Sequence, residues 1–146
     1  MPALQWSEDF VLDLAPMDTT HQEFVELLAT VEDASDGALM HAWQELVEHT
    51  DDHFSREDRW MVDTRFSSSN CHTMQHRIVL QVMQQGLAGG REGDLAMVRQ
   101  MAKELAIWFP QHAQAMDAAL AAHLHRVGYD PVTGAIHTPQ ALPRDA

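Results

Sequence analysis

Histidine stands on or beside the apolar stripe of four successive helix-like segments in this chain, and that placement narrows what it can fold into. Residues three and four apart share one face of an α-helix. In the first segment, expected to start near Thr19, the apolar side is Phe24, Val25, Leu28 and Val31, with His21 just before it. The second is expected from about Ala38 to Thr64. Its inward side reads Trp43, Leu46, Val47, Thr50, His53, Phe54, Glu57, Trp60 and Met61. The third starts near Cys71 and presents His72, His76, Val79 and Met83. The fourth, from Asp94 to Val127, aligns Leu95, Val98, Ala102, Leu105, Trp108, His112 and Met116, with Asp117 close by.

Punctuation between the segments agrees with the period. Thr20 and Glu23 have the spacing of a capping box, and "ASDG" ends the first helix. Ser69 or Asn70 is expected to cap the third, and the glycines of "GLAGGREGD" to break it. Gly128 in "GYDP" is a C-cap for the fourth. No strand-like alternation competes, and short loops make neighbours antiparallel. The expected fold is all-α: one up-down-up-down four-helix bundle over residues 1–128. Residues 1–17 are expected to form an extended arm that packs Trp6 and Phe10, and residues 129–146 a loosely held tail.

Charge excludes some partners. With nine Lys and Arg against 22 Asp and Glu, the formal charge is −13, so phosphate backbones and anionic membranes repel the chain. No apolar run is long enough to span a membrane. The start, "MPALQWSEDF", lacks the basic-then-apolar order of a secretory signal. Together with the single cysteine, Cys71, which rules out an internal disulfide framework, this points to the cytoplasm, and a monomer is expected.

Burying so many ionisable groups is costly unless something pairs them. A metal does so by taking neutral imidazole nitrogens and carboxylate oxygens directly. In "HFSRE" and "HTMQH" the end residues are four apart and can share one centre. One such pair alone is weak; recurrence in four helices is much harder to obtain by accident. His112 and Asp117 are five apart, off-face in a regular helix, and Pro110 just before them suggests a kink or π-bulge. Five imidazoles and two carboxylates exceed one tetrahedral zinc. They suit two octahedral first-row ions bridged by the carboxylates, iron or manganese by donor type.

The motifs "MDTTH" (17–21), "HFSREDRWM" (53–61), "HTMQH" (72–76) and "WFPQHAQAMD" (108–117), in this order, resemble the hemerythrin family in its single-domain bacterial form. The resemblance implies a non-haem di-iron site. His72, His76 and His112 would bind one iron, and His21 and His53 the other, which keeps a place open for dioxygen. Glu57 and Asp117 would bridge the pair, with an oxo or hydroxo group as third bridge. The function implied is reversible dioxygen binding, as a carrier, store or sensor rather than an enzyme. The alternatives are a di-iron enzyme acting on peroxide or nitric oxide, or an iron- or oxygen-responsive partner of a signalling or oxygen-receiving protein.

Phe24, Val25, Phe54, Trp60, Met61 and Trp108 are candidates to line the oxygen pocket, with Ile78 as a further apolar neighbour; for each, plain core packing is the competing role. Asp58 stands where the family commonly has a second glutamate, Trp60 where a smaller aliphatic is common, and Pro110 is unusual. These departures remove no ligand position. His49 is expected to pack beside the site without being a ligand, and Cys71 to be inert. His41, His123, His125 and His137 are expected in solvent.

Overall fold

The computed structural model describes residues 4–143. Helix α1 spans Ala15–Asp33, α2 Asp36–Asp63, α3 Ser69–Arg91 and α4 Leu95–His112. A π-turn at Ala113–Asp117 joins α4 to α5, Ala118–Val127, so 95–127 forms one continuous fourth rod. The chain is an all-α, antiparallel four-helix bundle, with α1 against α2 and α4, and α3 against α2 and α4.

The helix starts differ from expectation for local reasons. α1 begins at Ala15, so the last part of the expected arm is helical. Pro16 suits a first turn, where its missing N–H has no intrahelical partner to lose. The Asp18 carboxylate reaches back to the Leu12 and Leu14 amides at 2.8 and 3.3 Å. Thr20 is inside the helix and donates to Pro16 O at 2.8 Å, so Thr20 and Glu23 do not form a capping box. Before α1, Glu8–Phe10 makes one 3-10 turn; Phe10 is buried and Trp6 packs partly against the same core.

The glycines of "GLAGGREGD" do not all break the third helix. α3 runs through Gly86, Gly89 and Gly90. A Cβ at Gly86 would meet Met101 Sδ at 2.5 Å, and one at Gly90 would meet Met40 Sδ at 2.5 Å. Those positions exchange helix propensity, about 1 kcal/mol each, for close approach of α2 and α4. Gly93, at φ +105°, is where the chain turns.

Two apolar clusters fill the bundle. One takes Phe24, Leu28, Leu39, Trp43, Leu46, Met83, Val98 and Phe109, at one end of the rods. The other takes Leu14, Met17, Trp60, Met61, Leu120, Leu124 and Val127, at the opposite end. Each fully buried side chain of this kind contributes about 1.5–3 kcal/mol of transfer free energy. Along α1, α2 and the fourth rod the polar positions fall between the two clusters. From 129 onward the described residues fold back on the second cluster. Tyr129 is buried and bridges to Ile136, the Thr138 amide donates to Val127 O at 2.9 Å, and Leu142 packs at the edge.

Candidate metal centre

Each helix delivers its polar side chains to the gap between the apolar clusters. His21 comes from α1, His53 and Glu57 from α2, and His72 and His76 from α3. On the fourth rod His112 and Asp117 are five apart, and the π-turn absorbs the extra residue so that both point inward. All seven are at most 3% exposed.

The two carboxylates sort the histidines into two groups. The Glu57 Oε2 and Asp117 Oδ2 side faces His21, at 3.4 and 3.1 Å from its Nε2, and Glu57 Oε2 lies 2.6 Å from His53 Nε2. The Oε1 and Oδ1 side faces the other three. His72 Nε2 is 3.4 Å from Glu57 Oε1 and 3.0 Å from Asp117 Oδ1; His76 Nε2 is 3.4 Å from Glu57 Oε1; His112 Nε2 is 3.2 Å from Asp117 Oδ1. Two donor sets result, Glu57–His72–His76–His112–Asp117 and His21–His53–Glu57–Asp117, with both carboxylates in each.

The donor chemistry fits cations. His21 Nε2, His76 Nε2, Glu57 Oε1 and both Asp117 oxygens are buried, crowd against one another, and have no hydrogen-bond partner among the described residues. Leaving one such atom unsatisfied costs about 1–3 kcal/mol. A metal ion at the focus of the nitrogens and oxygens removes that cost for several atoms at once.

Without metal, protons take its place. Burial opposes charge on His21, yet the Asp117 and Glu57 carboxylates push it up to about 10. His72 follows the same balance, up to about 9. Burial also opposes charge on His76, and Asp58 and Glu57 raise it. On His112 burial wins and the value falls. The carboxylates of Glu57 and Asp117 stay ionised against burial because the surrounding imidazoles hold them low. Metal uptake must therefore expel protons from the cluster.

Known proteins match this sequence. The family model "Hemerythrin HHE cation binding domain" covers residues 13–124. The chain belongs to the hemerythrin family. It is 35% identical over 130 residues to the bacteriohemerythrin of Ralstonia nicotianae, covering 89% of this chain and 95% of that one. Bacteriohemerythrins of Pseudomonas paraeruginosa and Pseudomonas aeruginosa are 29% identical over 84 residues, 55% of each chain.

Within this hemerythrin bundle, aromatic rings pack on the imidazoles. Phe54 stacks on His76 with centroids 4.0 Å apart, and Trp108 on His112 at 4.5 Å. Phe24 and Val25 are buried in the first apolar cluster, and Phe24 reaches the site through Phe109, on which it stacks at 4.8 Å. Trp60 and Met61 belong to the second cluster. Ile78 is 53% exposed, so it is a surface residue of α3 and not an apolar neighbour of the cluster.

Four residues near the site or of its type were not legible beforehand. Phe109 sets its ring edge-on to His21 at 5.3 Å; its adjacency to Trp108 was the available signal. Asp58 accepts from His76 Nδ1 at 2.8 Å and from Thr73 Oγ1 at 3.1 Å. Gln75 Oε1 accepts from His112 Nδ1. His123, expected in solvent, is 2% exposed: its Nε2 donates to Thr64 O at 2.9 Å and its Nδ1 accepts from Arg126 at 2.8 Å. The fourth rod packs it against the end of α2, where its hydrogen bond to Thr64 O ties the rod to that helix. His49 is partly buried, with Nε2 3.4 Å from Glu23 Oε1, while His41 and His125 lie exposed.

Proposed function

We propose that the chain binds dioxygen reversibly at a non-haem di-iron centre. The observation that carries the reading is the unequal division of five imidazoles about two shared carboxylates. His72, His76 and His112, with one oxygen each from Glu57 and Asp117, would hold one ion. His21 and His53 with the same two carboxylates would hold the other with one protein donor fewer, which would leave a place for an exogenous ligand. A pair of iron ions held by these residues would supply the redox chemistry for reversible dioxygen binding.

The protein's share is to hold and to shield. Glu57 and Asp117 keep the two donor sets at a common distance. Ring packing by Phe109 on His21, backed by Phe24, closes the first apolar cluster over the two-histidine side. A dry wall there slows loss of bound, reduced oxygen to water and favours reversal over oxidation. A net charge of −13 supports a role without nucleic acid.

The test is to load the protein with ferrous iron, admit oxygen, then withdraw it. A visible absorption band that appears and disappears over repeated cycles, with two irons per chain, is the expected result. One zinc per chain would overturn the di-iron reading. Irreversible oxidation, or turnover with added peroxide, would overturn the carrier and favour an enzyme on the same site.

A further inference from the structure

The histidines of the three-histidine side are not equally served. His76 donates from Nδ1 to Asp58, and His112 from Nδ1 to Gln75. His72, the third, is 1% exposed, and its Nδ1 is buried with no partner among the described residues. An imidazole that gives Nε2 to a metal carries its proton on Nδ1, and that N–H needs an acceptor. His72 lines a cavity of about 220 Å³ between the start of α3 and the outer side of the fourth rod. Drug-sized ligands take about 300–1,000 Å³, so an occupant here is smaller.

The cavity offers donors and no competing carboxylate. Beside His72 its lining is Phe66, Ser68, Cys71, Ala115, Met116 and Ala119, with no Asp, Glu, Lys or Arg. It lies at the N-terminus of α3, where Ser68 holds the cap position without placing its side-chain oxygen on the helix. The Ser69 and His72 amides donate to Phe66 O and Ser68 O at 3.1 and 3.2 Å. The Asn70 and Cys71 amides have no acceptor among the described residues. An open helix start of this kind favours negative charge. The buried Nδ1 of His72 points independently to an acceptor, since a buried donor left without one is costly. The opposite wall is apolar: Phe66, Met116 and the Cβ atoms of Ala115 and Ala119. With no guanidinium or ammonium in the lining, the site suits one negative charge and not two.

We propose that this cavity binds a short-chain monocarboxylate, with its carboxylate at His72 Nδ1 and the first turn of α3 and its alkyl end against Phe66, Met116 and Ala119. The occupant supplies to His72 the acceptor that Asp58 supplies to His76 and Gln75 to His112, and so steadies the three-histidine side. The proposal rests on His72 being a metal ligand, and not on dioxygen as the ligand of the other side.

The test uses propionate with the metal-loaded protein, at constant ionic strength against chloride. Cys71, the single cysteine of the chain, is exposed at the cavity wall and reports occupancy. Saturating propionate should slow alkylation of Cys71 by iodoacetamide severalfold, and inorganic phosphate should not. Loss of metal to a chelator should slow with the same half-saturation, by about tenfold, as for an outer hydrogen-bond partner of a ligand. Ala119→Leu fills the cavity from the exposed side of the fourth rod and is not a ligand position; it should abolish both effects with metal content unchanged. Ala115→Leu serves the same purpose should the first variant fold poorly. No protection of Cys71 by propionate overturns the proposal, and equal protection by phosphate overturns the assignment to a monocarboxylate. Slower metal loss that persists in the filled variants also overturns it, and would mean that the acid binds a metal ion directly. Failure of reversible oxygen binding with the protection intact would overturn the oxygen reading alone.

Discussion

The two halves of the metal cluster differ in what stands behind the imidazoles. On the three-histidine half, His76 Nδ1 is held by Asp58 at 2.8 Å and His112 Nδ1 by Gln75, while Phe54 and Trp108 lie flat on the same two rings. On the two-histidine half, the Nδ1 atoms of His21 and His53 are buried without a partner among the described residues. Packing alone orients them, chiefly Phe109 against His21. His72 is the exception within its group, since its Nδ1 also lacks a partner. A directed hydrogen bond sets both tautomer and ring orientation, whereas a packed ring keeps some freedom to turn. The half read as the ligand-binding one is thus also the half with fewer polar restraints.

That contrast can be broken by experiment, most severely at the ligands. His53→Ala and His112→Ala should each lower bound iron from two per chain to one or none, counted by metal analysis; His53→Ala should also abolish the reversible oxygen band. Phe109→Ala removes the ring behind the two-histidine half. With Phe109 only 1% exposed, it should cost about 3–5 kcal/mol in denaturant unfolding. Asp58→Asn attacks the other half. It should weaken metal retention about 10–100-fold in competition with a chelator, while His21 and His53 keep their environment. A loss equal to that of a ligand variant would show that Asp58 binds metal itself.

Smaller effects should follow from pH. In the metal-free chain His21 is raised from 6.5 to about 10 and His72 to about 9, and His76 is raised as well. A raised folded value means that the folded state binds the proton more tightly. The stability this contributes is complete below pH 6.5 and is lost as pH climbs through about 9 and then about 10. Urea midpoints of metal-free protein should therefore fall between pH 6 and pH 10, and His72→Asn should make that fall smaller. His49→Phe should do least. His49 is 16% exposed in its side chain and contacts Glu23, so iron stoichiometry should not change. Loss of iron in that variant would add a ligand to the two-histidine half.

Much of this arrangement was legible in one dimension. The positions of His21, His53, Glu57, His72, His76, His112 and Asp117 follow from period and motif order, and the five-residue spacing with Pro110 pointed to a local irregularity that the π-turn at Ala113–Asp117 supplies. Helix limits were less legible. Gly86 and Gly90 read as breakers because propensity is local, yet their missing Cβ atoms are what let α2 and α4 approach. Asp58 and Gln75 lie off the inward stripes of their helices, and nothing in a single helix says which neighbour its flank will meet.

The chain by itself determined four amphipathic helices, a polar layer at the same height in each, and therefore a bundle able to hold cations. The periodicity of a helix is enough for that, since it assigns every residue to a face. Tertiary structure alone decided which carboxylate oxygen meets which imidazole, that Asp58 and Gln75 brace one half while Phe109 packs the other, and that His123 is buried at the end of α2. It also brought the turn after α5 over Arg56, Arg59 and Trp60. These are contacts between residues far apart in the chain, set by how the faces dock, and helical period carries no information about docking.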